Sequence, residues 1–456
     1  MVAGQARQRR TLLLGASACV AGLVFWLATS GGSAAAKVAP GAGGVWHGSG
    51  AWRYLTVVDA GSSGCRAHVF RWRGVDGGRG VEIDPKHNNL KVKPGLSSFA
   101  ANPAGAGASL KPMLDFVLGE IPQDQWATSP IFLKATAGLR MTAEGPRKQI
   151  LESVRDALAA SPLQFDDREA GALVIEGTDE GGYGWMSVNY LMGNLAGDAT
   201  PSDFVGVVEM GGASAQVTQY ATEPVPEGYE FKFRLGSRKY SLYTHSYLGY
   251  GLEQARETLS KHLKHQKHAE IVDPCLNAGF AKKAAEKRQD VYDGPRDVDM
   301  KGTGDAGPAC GSAIEKALFS LDGSCAHGSC SFDPRVYQPK DLPTSKLLAF
   351  ENFYYTAAML GIKQTDLAPK DFTGRGAAEA CGIDWAALQA SDMPRDGSPK
   401  DELNKICFSA NYLGLFLEKG VGVGAGSNVK VMQQVGEFGI DWSLGAAIHE
   451  ASELVK

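Results

Sequence analysis

Two stretches decide the fold: Tyr54-Leu-Thr-Val-Val-Asp59-Ala-Gly-Ser-Ser-Gly64 and Phe204-Val-Gly-Val-Val-Glu209-Met-Gly-Gly-Ala-Ser214. Each is a short β-prone apolar run that reaches a carboxylate and then breaks into a Gly/Ser turn. Each is followed by an alternating run that returns, Ala67-His-Val-Phe-Arg-Trp72 in the first case and Ala215-Gln-Val-Thr-Gln-Tyr220 in the second. A strand–turn–strand unit therefore occurs twice. That duplication points to two related α/β domains facing each other across a cleft, each offering one hairpin turn to a ligand.

The intervening pattern is consistent with this plan. Residues 131–135 read as a strand ending at Thr136-Ala-Gly-Leu-Arg140, and residues 145–160 as an amphipathic helix. Residues 172–175 read as a strand that enters a Gly-rich turn, residues 176–184, followed by a helix over 185–195. Residues 347–360 and 407–417 read as helices carrying aromatic side chains. Residues 260–345 are polar, Lys-rich and Gly/Pro-rich, and read as an insertion stapled by cysteines.

The chain has 456 residues, too many for one ordinary core and suited to two domains. It is 44% hydrophobic and 21% charged, within the globular range, and its formal net charge of −4 gives no global reason to expect a nucleic-acid partner. At the N-terminus, Arg7, Arg9 and Arg10 precede an apolar run and then the small residues 31–36, which include Ala34-Ala35-Ala36. This is the order of a secretory signal, and residues 12–29 are nearly long enough to act as an uncleaved membrane anchor. Residues 1–36 are therefore expected to export the chain and residues 37–51 to form a linker. The cysteines agree. Cys19 falls in the export segment, and six of the other seven follow residue 270, as in a disulfide framework. Zinc is the weaker reading, because no CxxC pair is present.

Gly/Ser turns expose backbone N–H groups and hydroxyls, the donors that a phosphate chain needs. Two such turns, each led by a carboxylate, outweigh one. Asp59 and Glu209 would lie at the base of the cleft and, with phosphates nearby, suit a hard divalent cation, Mg²⁺ or Ca²⁺, held largely through its waters. Turn capping is the plainer alternative for the two acids. Transfer of a phosphoryl group to water also needs a carboxylate to position or deprotonate the water. Glu180 is the best candidate, and Glu176 and Asp179 stay open as local competitors.

At these residues the chain resembles the apyrases, the nucleoside triphosphate diphosphohydrolases that include ecto-nucleotidases and Golgi nucleoside diphosphatases. Asp59-Ala-Gly-Ser-Ser-Gly-Cys-Arg66, Lys134-Ala-Thr-Ala-Gly-Leu-Arg140, Glu180-Gly-Gly-Tyr-Gly-Trp-Met-Ser-Val-Asn-Tyr-Leu191, Glu209-Met-Gly-Gly-Ala-Ser-Ala-Gln216 and Asp441-Trp-Ser-Leu-Gly445 are similar to that family's five conserved regions, in order. Pro94-Gly-Leu-Ser-Ser98 and His245-Ser-Tyr-Leu-Gly-Tyr-Gly251 are similar to further family segments. The resemblance implies two actin-like, ribonuclease H-like domains with the active site between them, here residues 52–176 plus 441–456 and residues 177–440. It implies Glu180 as catalytic base and Asp59, Glu209 and Thr136 around the metal and its waters. Ser62, Ser63, Gly64 and Cys65 would form one phosphate loop, and Gly212, Ala213, Ser214 and Gln216 the other. Tyr354 and Tyr412 would stack on the base, while Trp185 and Trp442 belong to the core. The pairings Cys275–Cys310, Cys325–Cys330 and Cys381–Cys407 are implied as well.

Three positions depart from the resembled pattern. Glu209 stands where Asp is usual, Cys65 where Thr or Ser is usual, and Ala215 where Thr is frequent. Cys65 would be a free thiol beside the site, and Ala215 would point away from the phosphates. Two rival readings share the two-loop plan: an exopolyphosphatase or guanosine pentaphosphatase relative, and a nucleotide-binding module without turnover. The late cysteines and the export segment speak against the first.

Overall fold

The computed structural model describes residues 50–455 apart from 76–79, 197–198, 265–269, 283–298, 305–307, 320–322 and 341–345, and leaves aside the side chains of residues 375, 376 and 401. The export segment, the possible anchor at 12–29 and most of the linker lie outside the described residues. Within the described residues, no helix is long and apolar enough to cross a membrane.

Strands β1 (Arg53–Ala60) and β2 (Cys65–Gly74) form the first hairpin, and β3 (Val81–Ile83) and β4 (Asn88–Val92) add to β2. Strands β5 (Ile131–Ala135) and β6 (Ala172–Val174) extend the sheet in parallel on the other side of β1. The second hairpin is β7 (Gly206–Met210) and β8 (Ser214–Tyr220). Strands β9 (Glu230–Leu235) and β10 (Arg238–Leu248) continue from β8, and Leu347–Glu351 lies parallel to β7 on its other flank. The result is the expected α/β architecture, with one hairpin turn in each of two mixed sheets.

Strand parity places the acids. Leu55 and Val57 pack into one core, and Val58 and Ala60 into another on the opposite face of the sheet. In the second sheet Val207 joins the first of these cores, while Val208 and Met210 face a third. Asp59 and Glu209 share the parity of Val57 and Val207, so both point into the layer between the sheets. That layer is filled by two helices, Gly177–Leu191 against β8 and β10 and Trp442–Leu454 against β1, which pack on each other. Their shared core holds Trp185, fully buried as expected.

Residues 176–184 are not a turn. They open the Gly177–Leu191 helix. The glycines are there for close approach rather than for bending: a Cβ on Gly181 would lie 2.4 Å from Thr244 Oγ1, and one on Gly182 2.4 Å from the Phe231 ring. From the other side, a Cβ on Gly445 would sit 2.0 Å from the Tyr183 carbonyl oxygen. Helix propensity loses to packing here. A second difference lies at residues 347–360, where Leu347–Glu351 is a strand and the helix is only Asn352–Met359.

Among the described residues of 260–345 lie the short strands Glu270–Asp273, Ala281–Lys282 and Asp299–Gly302, and the helix Pro308–Ile314. All three implied disulfides are formed. The helix Ile406–Leu415 is tied to residue 381 by one of them.

Because Gly445 touches backbone, Gly445→Ala should destabilise the protein by about 1–3 kcal/mol in chemical denaturation, the usual cost of overpacking. Gly439→Ala, where a Cβ meets nothing within 4 Å, should stay within about 0.5 kcal/mol of the parent. Equal effects would mean that the helix pair does not set the spacing of the sheets.

Candidate active site

The two hairpin turns meet at one cavity of about 160 Å³. Its lining includes Asp59, Gly61 to Gly64 and Thr136 from the first sheet, Glu209 and Gly211 to Ser214 from the second, and Glu180 from the helix between. That volume holds a phosphate group with hydrated ions but not a whole nucleotide, since sites for small organic ligands run from roughly 300 Å³ upward.

Both turns are held by neighbouring backbone. A Cβ on Gly95 would fall 2.4 Å from the Ser62 carbonyl oxygen, and one on Gly138 2.8 Å from Ser62 Cα. A Cβ on Gly251 would fall 2.3 Å from the Ala213 nitrogen. The segments at residues 94–98 and 245–251 thus buttress one turn each. Gly212 is further fixed because its carbonyl accepts from the Glu253 N–H at 2.9 Å, and the Gly211 carbonyl accepts from the Leu252 N–H at 2.9 Å.

Glu180 is buried and pairs with Arg140. Gln216 does not itself line the cavity, but its amide donates to Glu180 Oε2 at 3.1 Å and to the hydroxyls of Ser214 and Ser246 at 2.8 and 2.9 Å. Burial pushes the Glu180 carboxyl above the usual range, and Arg140 opposes that shift. The competitors are accounted for. Asp179 accepts the Glu176 backbone N–H at 3.1 Å and closes the helix start, leaving Glu180 as the acid of this segment that faces the cavity.

Burial, and then Glu180, pushes Asp59 up to about 8, although Arg66 opposes it from the directly facing position of β2. Burial and the other acids push Glu209 well up too. Asp59 Oδ1 and Glu209 Oε2 are buried and have no hydrogen-bond partner.

Sequence reasoning missed several lining residues. Arg66, Lys91, Glu351 and Asp441 all reach the cavity. Glu351 sits at φ +58°, a strained backbone for a side-chain-bearing residue. Gln433 holds it there: its amide oxygen accepts the Glu351 N–H at 2.8 Å and its NH₂ donates to Glu351 Oε1 at 3.1 Å. Arg66 and Asp441 were visible inside quoted motifs. Lys91, Glu351 and Gln433 carried no local signal.

Three expectations need correction. Tyr412 is fully buried between Phe408 and Phe319, and its hydroxyl donates to the Tyr250 carbonyl at 2.6 Å, so it has no face for a base. Cys65 is free but points into the core on the far face of its sheet, with its thiol pushed up to about 12 by burial; strand alternation puts Arg66, not Cys65, in the cavity. Trp442 packs near Tyr183 yet also lines the cavity. Tyr354 is exposed on the helix that follows Glu351, and Ala215 lies in the core, turned from the cavity as expected.

Residues 48–455 match the GDA1/CD39 (nucleoside phosphatase) family. This chain belongs to that family. It is 32% identical over 418 residues to probable apyrase 6 of Arabidopsis thaliana, covering 88% of this chain and 73% of that protein. It is 31% identical over 427 residues to the guanosine-diphosphatase of Schizosaccharomyces pombe, covering 88% and 74%. It is 33% identical over 424 residues to ectonucleoside triphosphate diphosphohydrolase 8 of Gallus gallus, covering 86% and 82%. In fold it is similar to the nucleoside triphosphate hydrolases of Neospora caninum, with a TM-score of 0.59 at 17% identity over 89% of this chain and 93% of that one. Such a likeness bears out the actin-like α/β plan.

Gly251→Ala should lower phosphate release from nucleotides roughly a hundredfold, the scale of a 1 Å misplacement of positioning groups, with circular dichroism unchanged. Unaltered kinetics would show that residue 251 does not set the second turn.

Proposed function

We propose that the protein is a divalent-cation-dependent hydrolase that removes the terminal phosphate of nucleoside tri- or diphosphates. The observation that carries this reading is the charge of the cavity. Five carboxylates, Asp59, Glu180, Glu209, Glu351 and Asp441, line it against two cations, Arg66 and Lys91. Buried together, these acids hold on to their protons, and a divalent cation between them and a phosphate chain would favour their ionised form and offset the repulsion.

The residues fit that cation. Asp59 and Glu209 each have a buried oxygen with no partner, an arrangement costly unless a charge answers it. Oxygen ligands suit Mg²⁺ or Ca²⁺, and Thr136 adds a hydroxyl at the same wall. When bound, the cation would neutralise charge on the phosphate chain. The Ser62–Ser63–Gly64 and Gly212–Ala213–Ser214 turns would receive the phosphate oxygens through N–H and hydroxyl donors.

Glu180 lies between the turns, where it can orient a water for in-line attack on the terminal phosphorus. A bond forms from the water oxygen to phosphorus, the bond to the leaving phosphate oxygen breaks, and the water proton passes to Glu180. Gln216 and Arg140 fix the carboxylate. A loose phosphoryl transition state asks more of positioning than of basicity, so a carboxylate held by Arg140 suffices. Tyr354, exposed beside Glu351, offers a face on which a base can stack outside the small cavity.

Export of the chain, with the catalytic part outside the cytosol, is proposed on the N-terminal pattern and the three disulfides. Protease protection of the tagged full chain in cell fractions tests it, and a cytosolic product would refute it.

One kinetic panel tests the chemistry. Glu180→Gln should cut turnover by about 10²–10⁴-fold while nucleotide affinity persists, and chelation should abolish release until Mg²⁺ or Ca²⁺ is restored. Tyr354→Ala should raise KM for nucleotides and leave tripolyphosphate unaffected. A Glu180→Gln enzyme of near-normal turnover would remove Glu180 from the mechanism.

A further inference from the structure

Behind the phosphate cavity lies a second one of about 360 Å³, lined in part by His68, His87, Tyr355 and Asp441. Arg66 and Asp441 line both cavities. Three elements remote in sequence converge here. His68 comes from β2, His87 from the segment that enters β4, and Asp441 from the start of the C-terminal helix.

Their ligand-type atoms converge as well. His68 Nδ1 lies 2.8 Å from His87 Nε2 and 3.8 Å from Asp441 Oδ2. One such atom from each of the three lies within 4.8 Å of the others, and this is the cluster of that kind among the described residues. A tetrahedral zinc ion with bonds of about 2.0–2.2 Å separates its ligand atoms by roughly 3.3 Å. The 2.8 and 3.8 Å separations straddle that value, and all three lie within 4.8 Å, so side-chain shifts of no more than about 1.5 Å would complete the geometry.

The outer contacts orient the donors. His87 Nδ1 lies 2.9 Å from the Pro85 carbonyl oxygen, which can accept its N–H and leave the Nε2 lone pair facing His68. Asp441 Oδ1 accepts the Ser443 backbone N–H at 2.8 Å, leaving Oδ2 toward the imidazoles. Imidazole and carboxylate ligands, each fixed by a further hydrogen bond, are the construction of a metal centre. His68 itself is fully buried at strand centre, so its ring direction is set by packing.

We propose that His68, His87 and Asp441 form a second cation site, one that takes a borderline transition-metal ion such as Zn²⁺. Two imidazoles select such an ion over Mg²⁺ or Ca²⁺, which prefer oxygen. All three side chains line the 360 Å³ cavity, which has room for a water as a fourth ligand. The local field does not attract the ion, because Arg66 and Lys86 line this cavity against Asp441 and Glu437. Selectivity therefore resides in the donor atoms. The ion would clamp β2, the β4 entry and the C-terminal helix together. It would also draw on Asp441, a carboxylate of the phosphate cavity, which gives the site a route to modulate turnover.

The test uses the full chain, stripped with chelator and titrated with Zn²⁺ alone and in excess Mg²⁺, with Co²⁺ absorption as a coordination signature. One equivalent of Zn²⁺ should bind and resist Mg²⁺. His87→Ala, with folding checked by circular dichroism and the polar variant His87→Gln beside it because the ring packs on Phe70, should weaken Zn²⁺ at least roughly tenfold, since losing even an outer-shell partner costs that much, and should abolish the Co²⁺ spectrum. Three results would overturn the proposal: no zinc retained, as for a plain His–His hydrogen bond; equal affinity in His87→Ala; or displacement of zinc by Mg²⁺, as for occupancy of the Asp59–Glu209 cavity.

Discussion

The structure depends on one costly arrangement: two acids at strand ends, half-buried Asp59 and buried Glu209, each with one buried oxygen left without a partner. Burying charge without compensation opposes folding, and burial together with the neighbouring Glu180 raises the proton affinity of both acids. The rest of the fold is organised so that this cost is met. Hairpin strands bring the acids in, strand parity turns both toward the layer between the sheets, and the two central helices hold the sheets at one spacing. A cavity built in this way holds five acids against two cations, the arrangement on which the proposed joint binding of a divalent cation and a phosphate chain rests.

Rigidity around the acids comes from backbone packed on backbone. Gly95 and Gly138 press on the first turn and Gly251 on the second. The Lys134–Glu450 ion pair, at 2.6 Å and nearly buried, ties the strand leading to Thr136 to the C-terminal helix. Glu351 keeps a strained backbone because Gln433 bonds it on both sides. Strain sustained beside a cavity in this way is expected where a side chain must point at a ligand.

Much of this was legible in the chain. The hairpins are local, so alternation and Gly/Ser turns disclosed them, and with them the residues of both turns that line the cavity. Glu180 was legible as an acid but not as a helical one. Its glycines suggested a turn because propensity reports the isolated backbone, whereas Gly181 and Gly182 are placed by contacts with Thr244 and Phe231. Cys65 and Arg66 were separable only by knowing which face of β2 meets the cleft. Tyr354 and Tyr412 look alike in sequence, yet one is exposed and the other lies in a stack of rings. Glu351 and Gln433 come together through strand order, which no local pattern encodes.

As proposed, Asp59 and Glu209 are held against the protein's own stability for a cation to use. Melting of Asp59→Asn and the parent, without cation and with Mg²⁺ plus a non-hydrolysable nucleotide, tests it most directly. Asp59→Asn should melt at or above the parent in cation-free buffer and lose the gain that the parent shows on adding the ligands. An Asp59→Asn protein that melts below the parent without cation, yet gains as much with it, would show that Asp59 serves the fold and not a cation.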